Sequence, residues 1–411
     1  MTRPAHGARD VPRAAGGPRP EERPRLAVIG TPGDRRVTLF AAAARAAGLG
    51  TPDVIAWRDV LSGAEVRLPP GALVRIDSPG ADPETDALLR GPGDPARVGG
   101  GDLRYRRLLT ALERIRRAVA DTPGCALWND PDDIAVMFDK RRCHARLDAA
   151  GVPVPPALPG PVDGYATLRR RMREAGWSRV FVKPAHGSSA SGVIALHAAR
   201  DRVQAITSVA VDDEGGLYNS LRVRTYRDEP VVAAIVDALA PAGLHVERWF
   251  PKAVLDGRAI DLRVVVVAGR PTHAVVRASR TPMTNLHLGG ERGDLDAVRD
   301  RLGENGWRRA MEVCAKTAAC FPRSPMAGVD LMIGTGWREF AVAEVNAFGD
   351  LLPGLTGLPG GGAEGMDTYA AQLAARFAAP PPNRPWRAPV SAGGGAGAAR
   401  PRHARAGRAH A

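Results

Sequence analysis

Between Gly328 and Asp350 the chain reads Gly-Val-Asp-Leu-Met-Ile, a glycine turn, then Phe-Ala-Val-Ala-Glu-Val-Asn-Ala-Phe-Gly-Asp. Two apolar runs, 329–333 and 340–345, flank Gly334-Thr335-Gly336. That pattern predicts a β-hairpin or two adjacent strands. Glu344 and Asn346 lie two apart, so on a strand they face the same side, and Asp330 on the neighbouring strand can join them. Three oxygen donors, with no sulfur or imidazole among them, suit a hard cation such as magnesium. Magnesium held by few side chains takes its other ligands from water and substrate phosphates. The question this raises is whether the remaining chain supplies a nucleotide site.

Four further clusters bear on it. The apolar run 180–182 ends in Lys183, followed by Gly187, Ser188, Ser189, Ala190, Ser191 and Gly192. Small residues let backbone N–H groups approach phosphate oxygens, and the serines add donors. The lysine precedes the glycines, so this is not a P-loop, and a loose hairpin with a solvated lysine is the competing reading. Lys140 follows Asn129 on an expected helix that exits through Ala-Gly-Val-Pro-Val-Pro; alone it would be a surface lysine. Glu247-Arg248-Trp249-Phe250 ends a strand and leads to Asp261 and Arg263, two apart on one strand face. An arginine there can meet a phosphate or carboxylate bidentately; the alternative is an ion pair on a sheet edge. Last, Asn285-Leu-His287-Leu-Gly-Gly follows Arg277 and Arg280, a composition that suits an anion, although a lone histidine is more often structural.

The chain has 411 residues and a formal charge of +13. Its length predicts two or three domains. Residues 1–25 carry six arginines against three acids, and residues 384–411 carry six arginines and no acid, which leaves +4 for the body. Nucleic-acid binding by the body is therefore not expected. No apolar run is long enough for a membrane span and no secretory h-region is present, so a cytoplasmic protein is expected. The four cysteines form no CxxC pair and are expected to be buried thiols. Only four lysines occur among abundant arginines, so a lysine here can mark the need for a compact point charge.

Residues 1–24 and 380–411 are low in apolar content and are expected to be disordered. Strands 26–30 and 54–57, a helix over 37–47 and a strand near 72–76 predict a small parallel sheet. Gly30-Thr-Pro-Gly33 lacks the third glycine of a dinucleotide turn and contains Pro32, which argues against that reading. Residues 78–102 read as a loop, 103–120 as a helix, 126–129 as a strand, and 131–149 as one helix carrying Lys140. A helix is expected over 165–175, strands at 180–184 and 193–197, a polar stretch at 201–220 and a strand at 221–226. Then follow a helix at 231–239, strands at 245–250, 261–268 and 272–278, a loop at 280–294, and helices at 302–319 and 366–378.

Taken in order, these clusters resemble the ATP-grasp superfamily, and most closely its RimK-like and glutathione-synthetase-like carboxylate–amine ligases. The resemblance spans about residues 129–352. It implies an α/β (α+β) ATP-grasp fold with an N-terminal Rossmann-like preATP-grasp domain at 25–125, a central lid subdomain at 126–242 and a C-terminal subdomain at 243–379. It implies ATP as co-substrate, with Lys140, Lys183, Gly187, Ser188, Ser189, Gly192, Glu247, Trp249, Phe250 and Asn285 at the nucleotide. It implies Mg2+, with Mn2+ as a substitute, on Asp330, Glu344 and Asn346. It gives Arg263, Arg277 and His287 to the reacting groups. The implied reaction is amide or peptide-bond formation through an acylphosphate; an ATP-binding regulator or scaffold without ligase activity is the alternative. Expected partners are a small-molecule carboxylate and amine, an amino acid or peptide, or a peptide or protein tail, with no membrane; a homodimer stays open. Three positions depart from the pattern. Leu288 stands where the RimK-like loop has a basic residue, Arg248 stands where an acid is usual, and the ribose-binding acid has no clear match, with Lys252 near its place and Asp256 a candidate. Substrate contacts are expected at Gly349-Asp350.

Overall fold

A computed structural model describes residues 24–377 except 81, 95, 188, 189, 200 and 201. Both arginine-rich tails, apart from Pro24, and the two serines of the glycine loop, Ser188 and Ser189, lie outside the described residues.

The first unit alternates strand and helix. Strands β1 (Arg25–Gly30), β2 (Asp53–Ala56), β3 (Ala72–Ile76) and β4 (Ala126–Leu127) form a parallel sheet in the order β2-β1-β3-β4. Its connections carry α1 (Arg35–Ala46), α2 (Trp57–Ser62), α3 (Pro83–Arg90) and α4 (Gly101–Asp121). Strand β3 is buried along its whole length, as expected of a strand covered on both faces. Two of these helices depart from the sequence expectation. Trp57 starts α2 instead of ending β2, because its ring is fully buried and its Nε1–H donates to the Asp77 carbonyl. Within the expected loop 78–102, Asp82 caps α3 and Pro83 occupies its first turn, a start signal that a Gly/Pro-rich surrounding obscures.

The second unit is an antiparallel sheet in the order β8-β7-β6-β5-β9: β5 (Arg179–Pro184), β6 (Ile194–Ala198), β7 (Val203–Val211), β8 (Leu217–Tyr226) and β9 (Leu244–Arg248). Helices α7 (Tyr165–Glu174) and α8 (Glu229–Leu239) cover it with a core of their own. The polar stretch expected at 201–220 is in fact largely β7 and β8. Val203, Ala205 and Val209 face inward while Gln204 and Ile206 are half-buried, the alternation of a sheet with one buried face.

The third unit holds β10 (Val254–Leu255), β11 (Arg258–Val267), β12 (Arg270–Ser279), β13 (Glu291–Gly293), α9 (Leu295–Ala319), β14 (Met326–Ile333) and β15 (Phe340–Asn346). Its antiparallel sheet runs β13-β12-β11-β14-β15, with β10 on β11. Helix α10 (Thr368–Phe377) returns to the first unit, where Tyr369 and Leu373 pack with Val37 and Phe40 of α1.

The sheets divide the chain differently from the expected ranges. Strand β9, placed by sequence in the C-terminal subdomain, pairs with β5 of the central sheet. The expected single helix over 131–149 is two helices, α5 (Pro131–Met137) and α6 (Lys140–Ala149). Asp139 breaks it by accepting from the N–H groups of Arg141 and Arg142, which caps α6. Lys140 therefore opens α6. Both helices bury Ile134, Val136, Cys143 and Leu147 in the core shared with the third unit.

Close backbone approach fixes the end of β15. A β-carbon on Gly349 would stand 2.6 Å from the Gly328 Cα, and one on Gly328 equally close to the Gly349 Cα. Gly349→Ala should cost about 1–3 kcal/mol by forcing these segments apart. The denaturant midpoint checks this; an unchanged midpoint would mean the segments can separate freely.

Candidate functional site

Strands β14 and β15 pair so that Asp330 lies directly opposite Glu344. The next pair is Leu331 with Val342, so Ala343 is an extra residue in β15, a β-bulge. Helix α6, strand β5 and strand β9 approach this corner from the other side. Between them lies a cavity of about 710 Å3, lined by Lys140, Lys183, Glu247, Phe250, Asp330 and Glu344 among others.

Three of the four lysines line this cavity, each bound to a carboxylate. The Lys140 ammonium donates to Glu344 Oε1 at 2.6 Å and to the Gly187 carbonyl at 2.8 Å. The Lys183 ammonium donates to Glu247 Oε2 at 2.6 Å and to the Ala343 carbonyl at 3.2 Å. The Lys252 ammonium donates to Asp261 Oδ2 at 2.9 Å and to the Thr284 hydroxyl at 2.8 Å. Lys316 lies apart and donates to the Gly151 carbonyl.

The floor is a buried charge cluster. Arg277 donates to Asp261 Oδ1 at 2.7 Å and to Asp330 Oδ2 at 3.1 Å. Arg263 donates to both oxygens of Asp330, and Thr284 donates to Asp261. Burial pushes the Asp261 carboxyl up, but Arg277 and Lys252 outweigh it and hold it below the usual carboxylate range. Burial lowers the Lys252 ammonium, opposed by Asp261. Asp330 is likewise held low by Arg263 and Arg277 against its burial. The Asp261 and Arg263 pair anticipated on one strand face is present, and each side chain is taken up by the cluster.

The other expected residues fall into place as follows. Phe250 and Asn285 line the cavity, and so does Gly187. Trp249 stands behind it, its ring 5.1 Å from that of Phe181. Gly192 turns the glycine loop with φ +70°, and a β-carbon there would meet Pro184 at 2.8 Å. His287 is exposed and lines a second, larger cleft of about 2000 Å3, together with Arg36, Arg263, Arg292, Glu344 and Asn346. This cleft adjoins the first at Lys140, Arg277 and Glu344. Leu288, the departure beside His287, is buried with Met283 against Val193, Phe181 and Ile206, so it joins the loop to the central sheet. Asp256 sits exposed on the β10–β11 turn and does not line the cavity. Of the two residues expected to contact substrate, Gly349 lines the larger cleft, but Asp350 is not available to do so. It is fully buried, binding Arg75 at 2.6 Å and Arg36 at 3.0 Å and accepting from Gln372.

Sequence reading missed Lys252, Thr284 and His245 as members of the site. The scarcity of lysine was a usable signal for the first. Thr284 and His245 reach the site only through strand register and loop closure, which leave no local mark.

The donors fit a magnesium ion. Glu344 and Asn346 offer oxygen, the chemistry magnesium selects, whereas both oxygens of Asp330, expected as the third donor, are taken by Arg263 and Arg277. Asn346 spends its amide N–H on the Gly328 carbonyl, which leaves its oxygen available. Among the described residues no group of three His, Cys, Asp or Glu side chains is assembled for a metal, so the asparagine is needed to complete the set. All four cysteines are free, and burial pushes the Cys143 thiol up to about 12, which makes it inert. Among the described residues no helix is long and apolar enough to cross a membrane.

Glu247 gives the site an acid-sensitive element. Burial raises its carboxyl, but Lys183 and His245 outweigh burial and hold it at about 2, below its ordinary 4.5. Its stabilisation is therefore complete above the ordinary value and is lost as pH falls toward 2. Melting temperature should fall less over that window in Glu247→Gln than in the parent. Parallel acid limbs would show that Glu247 does not titrate there.

No family model matches the sequence, and no curated protein matches it. Among solved structures the chain is similar to ATP-grasp ligase PsnB complexed with a phosphomimetic variant of its minimal precursor, Mg and ADP. That match has 18% identity over 85% of this chain and 97% of that chain, with a TM-score of 0.45. It is also similar to macrocyclase MdnC bound with precursor peptide MdnA from Microcystis aeruginosa MRC, at 11% identity over 85% and 98%, TM-score 0.46. A third is D-alanine–D-alanine ligase from Bacillus anthracis complexed with ATP, at 11% identity over 79% and 86%, TM-score 0.43. Each of these matches lies below 25% identity and below a TM-score of 0.5, so it records a similarity and is carried no further.

Proposed function

We propose that this chain is an ATP-dependent carboxylate–amine ligase that forms an amide or peptide bond and releases ADP and phosphate. One observation carries the reading. Lys140, Lys183, Asp330 and Glu344, which come from a helix and three strands of two different sheets, converge with the glycine loop on one cavity of about 710 Å3. The electrostatics suit a phosphate chain: compact ammonium groups on one wall, oxygen donors on the other.

In this reading Lys140 and Lys183 bind phosphate oxygens, and Phe250 and Met332 pack against the base. Glu344 and Asn346 hold the magnesium, with Asp330 steadied beside them by Arg263 and Arg277. When bound, the ion neutralises charge as the γ-phosphoryl group transfers. A carboxylate oxygen of the substrate attacks the γ-phosphorus and the bond to ADP breaks. The amine then attacks the acyl carbon, phosphate leaves, and the amine gives up a proton. Arg263, in the larger cleft beside Asp330, is placed to steady the carboxylate and the developing oxyanion. Gly187, Ala190, Ser191 and the segment 282–285 line the site and would limit the entry of water, which otherwise hydrolyses the acylphosphate. The larger cleft beside Glu344 and Asn346 has room for a peptide as well as for a free amino acid.

ADP release with magnesium, screened across amino acids and peptides, followed by mass spectrometry of products, tests the proposal. Substrate-dependent ADP with a mass gain equal to condensation supports it. Nucleotide binding without such release would favour the non-ligating alternative, to which the closure of Asp330 between two arginines lends its one argument. Manganese in place of magnesium, an expected substitute, belongs in the same assay.

A further inference from the structure

Glu247 lines the cavity, yet both of its oxygens are committed. Oε2 accepts from Lys183 at 2.6 Å and Oε1 faces His245 Nε2 at 2.9 Å. The strand register explains the arrangement. His245 and Glu247 lie two apart on β9 and so share a face, and Lys183 on β5 pairs directly with His245. All three side chains are at least nearly nine-tenths buried. An ionised carboxylate only accepts, so His245 Nε2 carries a proton and donates it.

Resting on the nucleotide reading above, we propose that His245 is a positioning residue for the ATP site, holding the Glu247 carboxylate so that its second oxygen aims Lys183 into the cavity. Without that bond Glu247 can rotate about its terminal torsion, and Lys183 keeps only the Ala343 carbonyl as a fixed partner. Lys183 is the one lysine of the site on the central sheet, so its aim decides whether that sheet grips a phosphate. The imidazole is well suited to the task. Burial lowers its pKa, opposed by Glu247 and reinforced by the nearby Lys183 ammonium. It therefore stays neutral at pH 7 and adds no second positive charge beside Lys183. His144, on α6 four residues beyond Lys140, stands with its ring 5.0 Å from that of His245 and its Nε2 on the Pro155 carbonyl. The imidazole pair thus joins the supports of the two phosphate lysines.

The test measures binding of a fluorescent ATP analogue, with magnesium, to the full chain and its variants. His245→Ala should weaken binding about tenfold, the size expected for a hydrogen bond to a charged group. His245→Gln, which keeps a donor, should restore binding to within about threefold of the parent. In a Glu247→Gln background, His245→Ala should add little, because the residue acts through Glu247. If His245→Ala fails to fold, His245→Leu against His245→Gln makes the same comparison at closer volume. Equal losses in Gln and Ala or Leu variants, no loss in either, or full additivity with Glu247→Gln would overturn the proposal. A parent chain that binds no ATP analogue would overturn the nucleotide reading itself, an outcome distinct from all of these.

Discussion

Glu344→Gln should lower ADP formation by at least about a hundredfold, because a neutral amide cannot balance the charge of the ion that phosphoryl transfer requires. The substitution is nearly isosteric, and Glu344 is 29% exposed, so folding should survive. The loss should have a second signature. In the parent, magnesium should tighten ATP binding; in the variant, affinities with and without magnesium should converge, because Lys140 is released from its partner and meets phosphate alone. A coupled ADP assay and binding at two magnesium concentrations check both. Unchanged turnover would sink the assignment of the metal corner.

Arg277→Met should produce the largest stability effect. The guanidinium is 6% exposed and bridges Asp261 and Asp330, and their charges raise its pKa although burial opposes them. Removing it leaves two buried carboxylates with Lys252 and Arg263 as their remaining counter-charges. Breaking a buried pair from one side costs about 3–5 kcal/mol, and two pairs are broken here. Chemical denaturation of Arg277→Met should register a loss of that order. A double variant, Arg277→Met with Asp261→Asn, should recover part of it by removing one stranded charge. A single variant as stable as the parent would mean that the cluster is solvated or rearranges.

Much of this site is legible in the order of the residues alone. The hairpin at 326–346 and the facing of Asp330, Glu344 and Asn346 follow from alternation and a glycine turn, both local signals. Lys140 and Lys183 stand out because lysine is rare here. What the residue order does not disclose has a common physical character. Strand β7 carries Gln204, Thr207 and Ser208 among its apolar residues, the last two fully buried, and a composition count takes that for a loop. Asp139 splits a helix because its carboxylate caps the next turn and meets His186 across the fold, and that second partner is 47 residues away. Asp350 resembles a substrate contact because it follows the oxygen donors in sequence. Its burial is set by Arg36 and Arg75, on a helix and a strand near the other end of the chain. Sequence conveys which side chains share a face; it does not convey which of them another unit has already claimed.

The bulge at Ala343 has a consequence for how such a site can change. A single surplus residue in β15 takes one carbonyl out of the ladder and turns it to Lys183, while Glu344 stays level with Asp330. The arrangement is thus encoded in strand length. Substituting Ala343 with another small residue leaves the surplus intact, whereas deleting it would make the ladder regular, keeping Glu344 opposite Asp330 but removing the carbonyl that accepts from Lys183. Drift by point mutation can tune this corner gradually, but an in-frame loss of one codon would take that carbonyl from Lys183 in a single event.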